Sequence, residues 1–149
     1  MKKLIFSSSL LLAFLLSTVN LFGQTINDLY GFWHNDLNST LRITYVNVSS
    51  GQITGTCTLE SGKTFPLTGW VNDLPPAKDH VIVVAFSVRF GPYGTITSWT
   101  GYLLKDKKTS LLKIHTIWNL VTPNSDSAFY HIVTNCDVFT RGQAVIIKK

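Results

Sequence analysis

From Gly31 onward the apolar residues of this chain alternate in short runs, and turn residues cut the runs apart. No apolar spacing of three and four persists, and no capping box precedes an apolar run, so helix signals are absent. That pattern points to an all-β fold. The runs are Gly31 to Thr40, Leu41 to Val48, Ile53 to Glu60, Thr64 to Asn72, His80 to Phe90, Thr95 to Leu104, Ser110 to Val121 and Phe129 to Arg141. Their connections are short, such as Ser49-Ser50-Gly51-Gln52, Ser61-Gly62-Lys63 and Gly91-Pro92-Tyr93-Gly94. Neighbours in sequence can then be neighbours in space. The expected architecture is an eight-stranded antiparallel up-and-down β-barrel, which removes its own edges and has room for one small ligand. A two-sheet sandwich is the alternative, and the lack of a long crossover weighs against it.

The barrel does not begin at residue 1. Lys2 and Lys3 precede an apolar run from Leu10 to Leu16, and Leu21-Phe22-Gly23 offers a small residue before Gln24. This reads as a secretory signal peptide over residues 1–23, cut after Gly23, with residues 24–149 as one barrel domain. The apolar run is too short to span a bilayer, so the expectation is an exported protein, secreted or periplasmic, with no membrane span. Removing Lys2 and Lys3 from 13 basic residues leaves 11 against 8 acidic ones, a net charge of +3. That excess is scattered over Lys105, Lys107 and Lys108 in one turn and Lys148-Lys149 at the end. It forms no basic stripe interleaved with aromatics, which speaks against nucleic acid as a partner.

Alternation also predicts what faces inward. In the opening run Trp33, Asn35, Leu37 and Ser39 share a face, an indole beside small hydrogen-bonding groups. Thr95, Thr97, Trp99, Gly101 and Leu103 share one in the sixth run, and Ile114, Thr116, Trp118 and Leu120 in the seventh. Phe129, Val133, Asp137 and Phe139 do so in the last. A mixed aromatic and polar interior that recurs around a barrel reads as a binding cavity.

Enzyme signatures are missing. His34, His80, His115 and His131 have no ligand spacing with each other or with the cysteines, so no metal site is expected. His34 and His115 fall on outward positions. No phosphate loop or nucleophile elbow occurs. Asp137 has no partner carboxylate in an equivalent place, so a hydrogen-bond acceptor is its expected role, and no catalytic residue is assigned.

The segments GFWHNDLNS, ITGT, TSWTGY, HTIWNL and DVFTR, in that order and spacing, resemble the avidin and streptavidin family of biotin-binding proteins. The resemblance runs from about Tyr30 to Arg141. It implies an eight-stranded barrel with biotin in one mouth, no cofactor, and a homo-oligomer, dimer or tetramer. Residue by residue, it implies that Asn35 and Ser39 donate to the ureido oxygen and that Leu37 packs beside them. Asp137 would accept from a ureido N–H. Thr97 would sit near the thioether sulfur and Thr95 near the valeryl carboxylate. Trp99, Trp118 and Leu120 would wall the ring, Phe90 stands where the family usually has another pocket Trp, and Phe129 where it has the Trp lent to a neighbouring subunit.

Two departures bear on affinity. Cys57 stands where the family has a Tyr that completes the donors on the ureido oxygen, and a thiol is a weak, shorter donor. Leu59 stands where the family has a Ser or Thr acceptor. An unpaired buried polar group costs about 1–3 kcal/mol, so the two losses together imply binding weaker by roughly two to four orders of magnitude. Phe129 in place of Trp weakens it further. The alternatives are a module of the same fold shifted to a different small ligand, or an interaction protein without one; an enzyme comes after these.

Cys57 shares cavity parity with Leu59, whereas Cys136 precedes inward Asp137 and so points outward. Opposite facings argue against an internal disulfide. In the family the outer face at the position of Cys136 lies at a two-fold contact, which implies that Cys136 meets or bonds Cys136 of a second chain, near Ile117, Ile132 and Thr134. A free thiol is the alternative.

Overall fold

Strict alternation becomes barrel wall in the computed structural model, which describes residues 24–73, 81–123 and 131–142. Eight strands are formed: β1 (Gly31–His34), β2 (Thr40–Val46), β3 (Gln52–Thr58), β4 (Thr64–Asn72), β5 (Ile82–Phe90), β6 (Thr95–Lys105), β7 (Leu112–Val121) and β8 (Ile132–Gly142). Each pairs antiparallel with the next, and β8 returns to β1, so the sheet closes with the order β1 to β8. The sandwich alternative is thereby excluded. β4 shows the principle cleanly: Phe65, Leu67, Gly69 and Val71 are buried while the residues between them are exposed.

Inward side chains fill the barrel. Ile43, Ile53, Leu67, Val88, Leu103, Ile114 and Phe139 are each at most 2% exposed. Phe86 stacks on Trp99 with ring centroids 5.2 Å apart. Closing eight strands requires them to coil tightly, and Gly101 shows where. A Cβ there would lie 1.8 Å from the His115 carbonyl oxygen across the β6–β7 ladder, so no other residue fits without moving β7.

One end of the barrel is plugged. A 3-10 turn over Ile26–Leu29 buries Ile26 and Leu29 against it. Trp33, fully buried, donates its indole N–H to the Leu29 carbonyl at 2.9 Å. The Arg141 guanidinium lies 5.5 Å from the Trp33 ring centroid and donates to the carbonyls of Asp28 and Tyr30. The Tyr30 hydroxyl accepts from the Val46 N–H at 3.0 Å, tying the plug to β2.

Four expectations are corrected here. The opening strand stops at His34, and residues between it and Thr40 form a turn, because Asn38 takes a positive φ of 56° and the chain reverses. Trp33 belongs to the plugged end and does not share a wall with Asn35 and Ser39 in the cavity. A helix start signal does exist: Asp28, three residues after Thr25, accepts from the Thr25 N–H at 2.8 Å and caps the short 3-10 turn. In β8, Val133 has the inward parity of Asp137 but is 46% exposed, because it pairs with Leu120 at the open end.

The expected signal peptide over residues 1–23, His80, Phe129 and Lys148-Lys149 lie outside the described residues. Among the described residues no helix is long and apolar enough to cross a membrane.

Candidate ligand-binding site

The end opposite the plug opens into a cavity of about 250 Å3. The β1–β2 turn supplies its polar corner. Asn35 N–H donates to the Ser39 carbonyl at 3.2 Å, and Asn38 N–H donates to the Asn35 carbonyl at the same distance. The Asn35 side-chain oxygen accepts from the Ser39 N–H at 2.8 Å. This local network turns both Asn35 and Ser39 inward and throws Leu37, 62% exposed, over the rim. The residues expected from a continuous strand thus do reach the cavity, but a side chain-stabilised turn delivers them.

β8, paired with β1, supplies the other half of this corner. Asp137 is 9% exposed and accepts from Asn35 Nδ2 at 2.8 Å. Its backbone carbonyl accepts from the Thr116 hydroxyl at 3.1 Å, which fixes β8 against β7 at this level. One carboxylate held by one amide retains acceptor capacity, and the amide retains a second N–H. Ser39 and Thr97 place hydroxyls in the cavity wall, whereas the indole N–H of Trp99 is enclosed without a partner among the described residues and is not offered to the cavity. The cavity therefore presents several donors and one charged acceptor to whatever enters it.

The remaining wall is apolar. Trp99 and Trp118 pair directly across β6 and β7 and both line the cavity. Leu120, Phe90 and Thr95 line it toward the mouth, and Cys57 and Leu59 come in from β3 and the residue after it. Cys57 is 2% exposed. Burial, with the Asp137 charge adding to it, pushes its thiol up to about 11 from 9.0. At neutral pH it is a protonated, poorly nucleophilic wall residue.

Twelve of the residues singled out in the sequence thus surround one cavity; Phe129 is outside the described residues. Two lining residues were not singled out for the site. Phe139 has the same parity as Asp137, a signal that alternation does contain. Tyr93 sits in a 3-10 turn, Gly91–Tyr93, and no periodicity predicts where such a turn aims a ring. Cys136 is exposed and free on the outer face of β8, opposite exposed Ile117 on β7. Among the described residues no group of histidine, cysteine and carboxylate side chains is placed to hold a metal ion.

A closed up-and-down barrel, plugged at one end and carrying a polar and aromatic cavity at the other, defines a small-ligand-binding barrel protein. The sequence model of the Avidin family matches residues 24–142, and the chain belongs to that family. Its structure is similar to the crystal structure of xenavidin, with 26% sequence identity, a TM-score of 0.66, and coverage of 79% of this chain and all of that one. No curated protein matches the chain significantly. The family and fold point to non-catalytic binding of the biotin type.

Proposed function

We propose that this protein binds biotin, or a cyclic urea like it, in the barrel mouth, more weakly than is typical of its family. The observation that carries the reading is the Asn35–Asp137 pair with Ser39 beside it. A cyclic urea offers a carbonyl acceptor flanked by two N–H donors. Asn35 and Ser39 can donate to the carbonyl, and Asp137 can accept from one N–H. Thr97, Trp99, Trp118, Leu120 and Phe90 enclose the rest of the ring system, and Phe129 contributes from its own or a neighbouring chain. Cys57 and Leu59 leave the other side of the urea without its partners, which is the reason for the lower affinity. No cofactor takes part.

Trp99 and Trp118 line the cavity, so biotin binding reports through tryptophan fluorescence. Saturable change at micromolar biotin supports the reading, and no change at that concentration sinks it. A second reading rests on the same two residues: Cys57 and Leu59 make one side of the polar end apolar, as for a module that takes a different small cyclic ligand. A protein that ignores biotin but binds a ring lacking one urea N–H would favour it.

The working protein in this proposal is exported by its signal peptide and is a homo-oligomer. Cys136, Ile117 and Ile132 are all exposed on one outer face, and Ile117 and Ile132 are 55% and 60% exposed. A second copy brought against that face places Cys136 near its own counterpart. Two thiols would give up two electrons and two protons to a disulfide oxidant of the export compartment. Electrophoresis of the mature protein without reductant checks this: a dimer band supports the pairing, and a monomer band ends it.

A further inference from the structure

We propose that Gln24 is a modification site: once the leader is cut after Gly23, its free α-amine closes on its own side-chain amide to give pyroglutamate, a neutral cap that seals the chain end beside the plug. The inference rests on the reading that the protein is exported and cut there, and it concerns the closed end of the barrel rather than the cavity. Its basis is the way the barrel holds the Gln24 side chain. Gln24 is half-buried. Its Oε1 accepts from the Lys105 N–H at 3.2 Å, where β6 ends. Its Nε2 is enclosed without a partner among the described residues.

The two polar atoms of that amide are thus in opposite situations, and cyclisation separates them. The α-amine nitrogen bonds to the side-chain carbonyl carbon. The bond from that carbon to Nε2 breaks, and Nε2 leaves as ammonia with a proton from the amine. No oxidant, reductant or second substrate is needed. The oxygen, which has a partner, is kept as the lactam carbonyl; the nitrogen, which has none, departs. An enclosed N–H group without an acceptor opposes folding, so the product suits this place better than glutamine does. The ring can close before the barrel does, on a terminus that is still free.

The change of charge fits the surroundings as well. Gln24 docks where β6 runs into a turn that carries Lys105, Lys107 and Lys108, all exposed. The carboxylate of that turn, Asp106, is already engaged by Lys113 Nζ at 2.9 Å and by the N–H groups of Lys108 and Thr109. An α-amine ionises at about 7.7–8.0, so a free terminus is mostly ammonium at neutral pH and adds a like charge to the lysines; a lactam adds none. Only Thr25, whose N–H is held by Asp28 at 2.8 Å, separates Gln24 from the buried Ile26 of the plug. An aminopeptidase needs a terminal amine, so a lactam there guards the plug from trimming.

The full precursor, expressed with its leader and recovered after export, tests the idea by mass spectrometry of the intact chain and of its N-terminal peptide. The expected chain spans residues 24–149, is lighter than that sequence by one ammonia, and carries the loss on Gln24. It should yield to Edman degradation only after treatment with a pyroglutamyl aminopeptidase. Gln24→Asn, whose shorter side chain cannot form the five-membered ring, should begin with a free amine and be trimmed up to the plug by a general aminopeptidase that leaves the wild type intact. A Gln24 amine that stays free after incubation at neutral pH overturns the proposal and leaves export standing. An exported chain that begins at another residue also overturns it, and a chain that keeps its leader removes the export reading too. Equal trimming of Gln24→Asn and a cyclised wild type overturns the sealing role.

Discussion

Asn35 Nδ2 donates to Asp137 Oδ2 across 2.8 Å, joining β8 to the β1–β2 turn over 102 positions of sequence. The bond orients both side chains at once. Asn35 is locked by a second bond from the Ser39 N–H, so Asp137 finds its partner already aimed. Replacing Asp137 by Ala should weaken biotin binding roughly 10- to 100-fold, since a hydrogen bond to a charged group is worth about 1.5–3 kcal/mol. Asn35→Ala should weaken it comparably, and the double variant by less than the product, because the two act as one unit. Calorimetric titration of the four proteins measures this coupling; strictly additive losses would contradict it.

Restoring the two absent partners should strengthen binding. Cys57→Tyr with Leu59→Ser returns a hydroxyl donor and an acceptor to the polar end. The cavity beside Cys57 has about 250 Å3 into which the larger ring can project. Affinity for biotin is expected to rise at least tenfold, at about 1.4 kcal/mol per tenfold. Competition binding against the wild type measures it, and an unchanged or lower affinity in a folded variant would mean that the ligand does not sit against β3.

The two thiols should differ in reactivity. Cys136 is exposed, whereas Cys57 is buried and its thiol is pushed up to about 11. In reduced protein near pH 8, a maleimide should label Cys136 wherever the outer face of β8 is not covered by a second copy, and Cys57 only on unfolding. Mass spectrometry of the labelled peptides reads this directly. Rapid labelling of Cys57 would show that the barrel opens often.

Burial of Cys57 also predicts a pH dependence. The folded protein holds this proton more tightly than the unfolded chain, whose thiol ionises near 9.0. The contribution is therefore fully present below pH 9 and is lost as pH rises through about 11. The loss should reach on the order of 2–3 kcal/mol. Denaturant unfolding of the wild type and Cys57→Ala between pH 8 and pH 11 isolates it, because only the wild type should show the fall.

Arg141 should matter to the barrel and little to the ligand. Its guanidinium covers Trp33 and donates to the Asp28 and Tyr30 carbonyls at the plugged end. Arg141→Ala removes these together and should destabilise the protein by about 2–4 kcal/mol. Arg141→Lys should recover only part, because an ammonium lacks the fork of N–H groups that reaches two carbonyls beside the indole. Thermal unfolding measures the loss. Biotin affinity at a temperature where the variant is folded should stay within about threefold, equivalent to roughly 0.65 kcal/mol.

Alternation in the chain was enough to specify eight strands, their antiparallel order and the inward set Thr97, Trp99, Ile114, Thr116 and Asp137. Side-chain period two is a local property, and a buried face makes any other register costly. The ordered segments from GFWHNDLNS to DVFTR were likewise enough to indicate the family. Other features lay outside what local pattern carries. Trp33 and Asn35 look like neighbours on one strand face, yet Asn38 turns the chain after His34 and sends Trp33 to the plug and Asn35 to the cavity. Tyr93 reaches the cavity, and Lys63 reaches Tyr93, only because closure of the barrel brings two turns together at its mouth. Such contacts depend on loop conformation and on the order of strands around the ring, which no periodicity within a single run encodes. From the sequence came which residue types face inward; tertiary closure decided which of them meet.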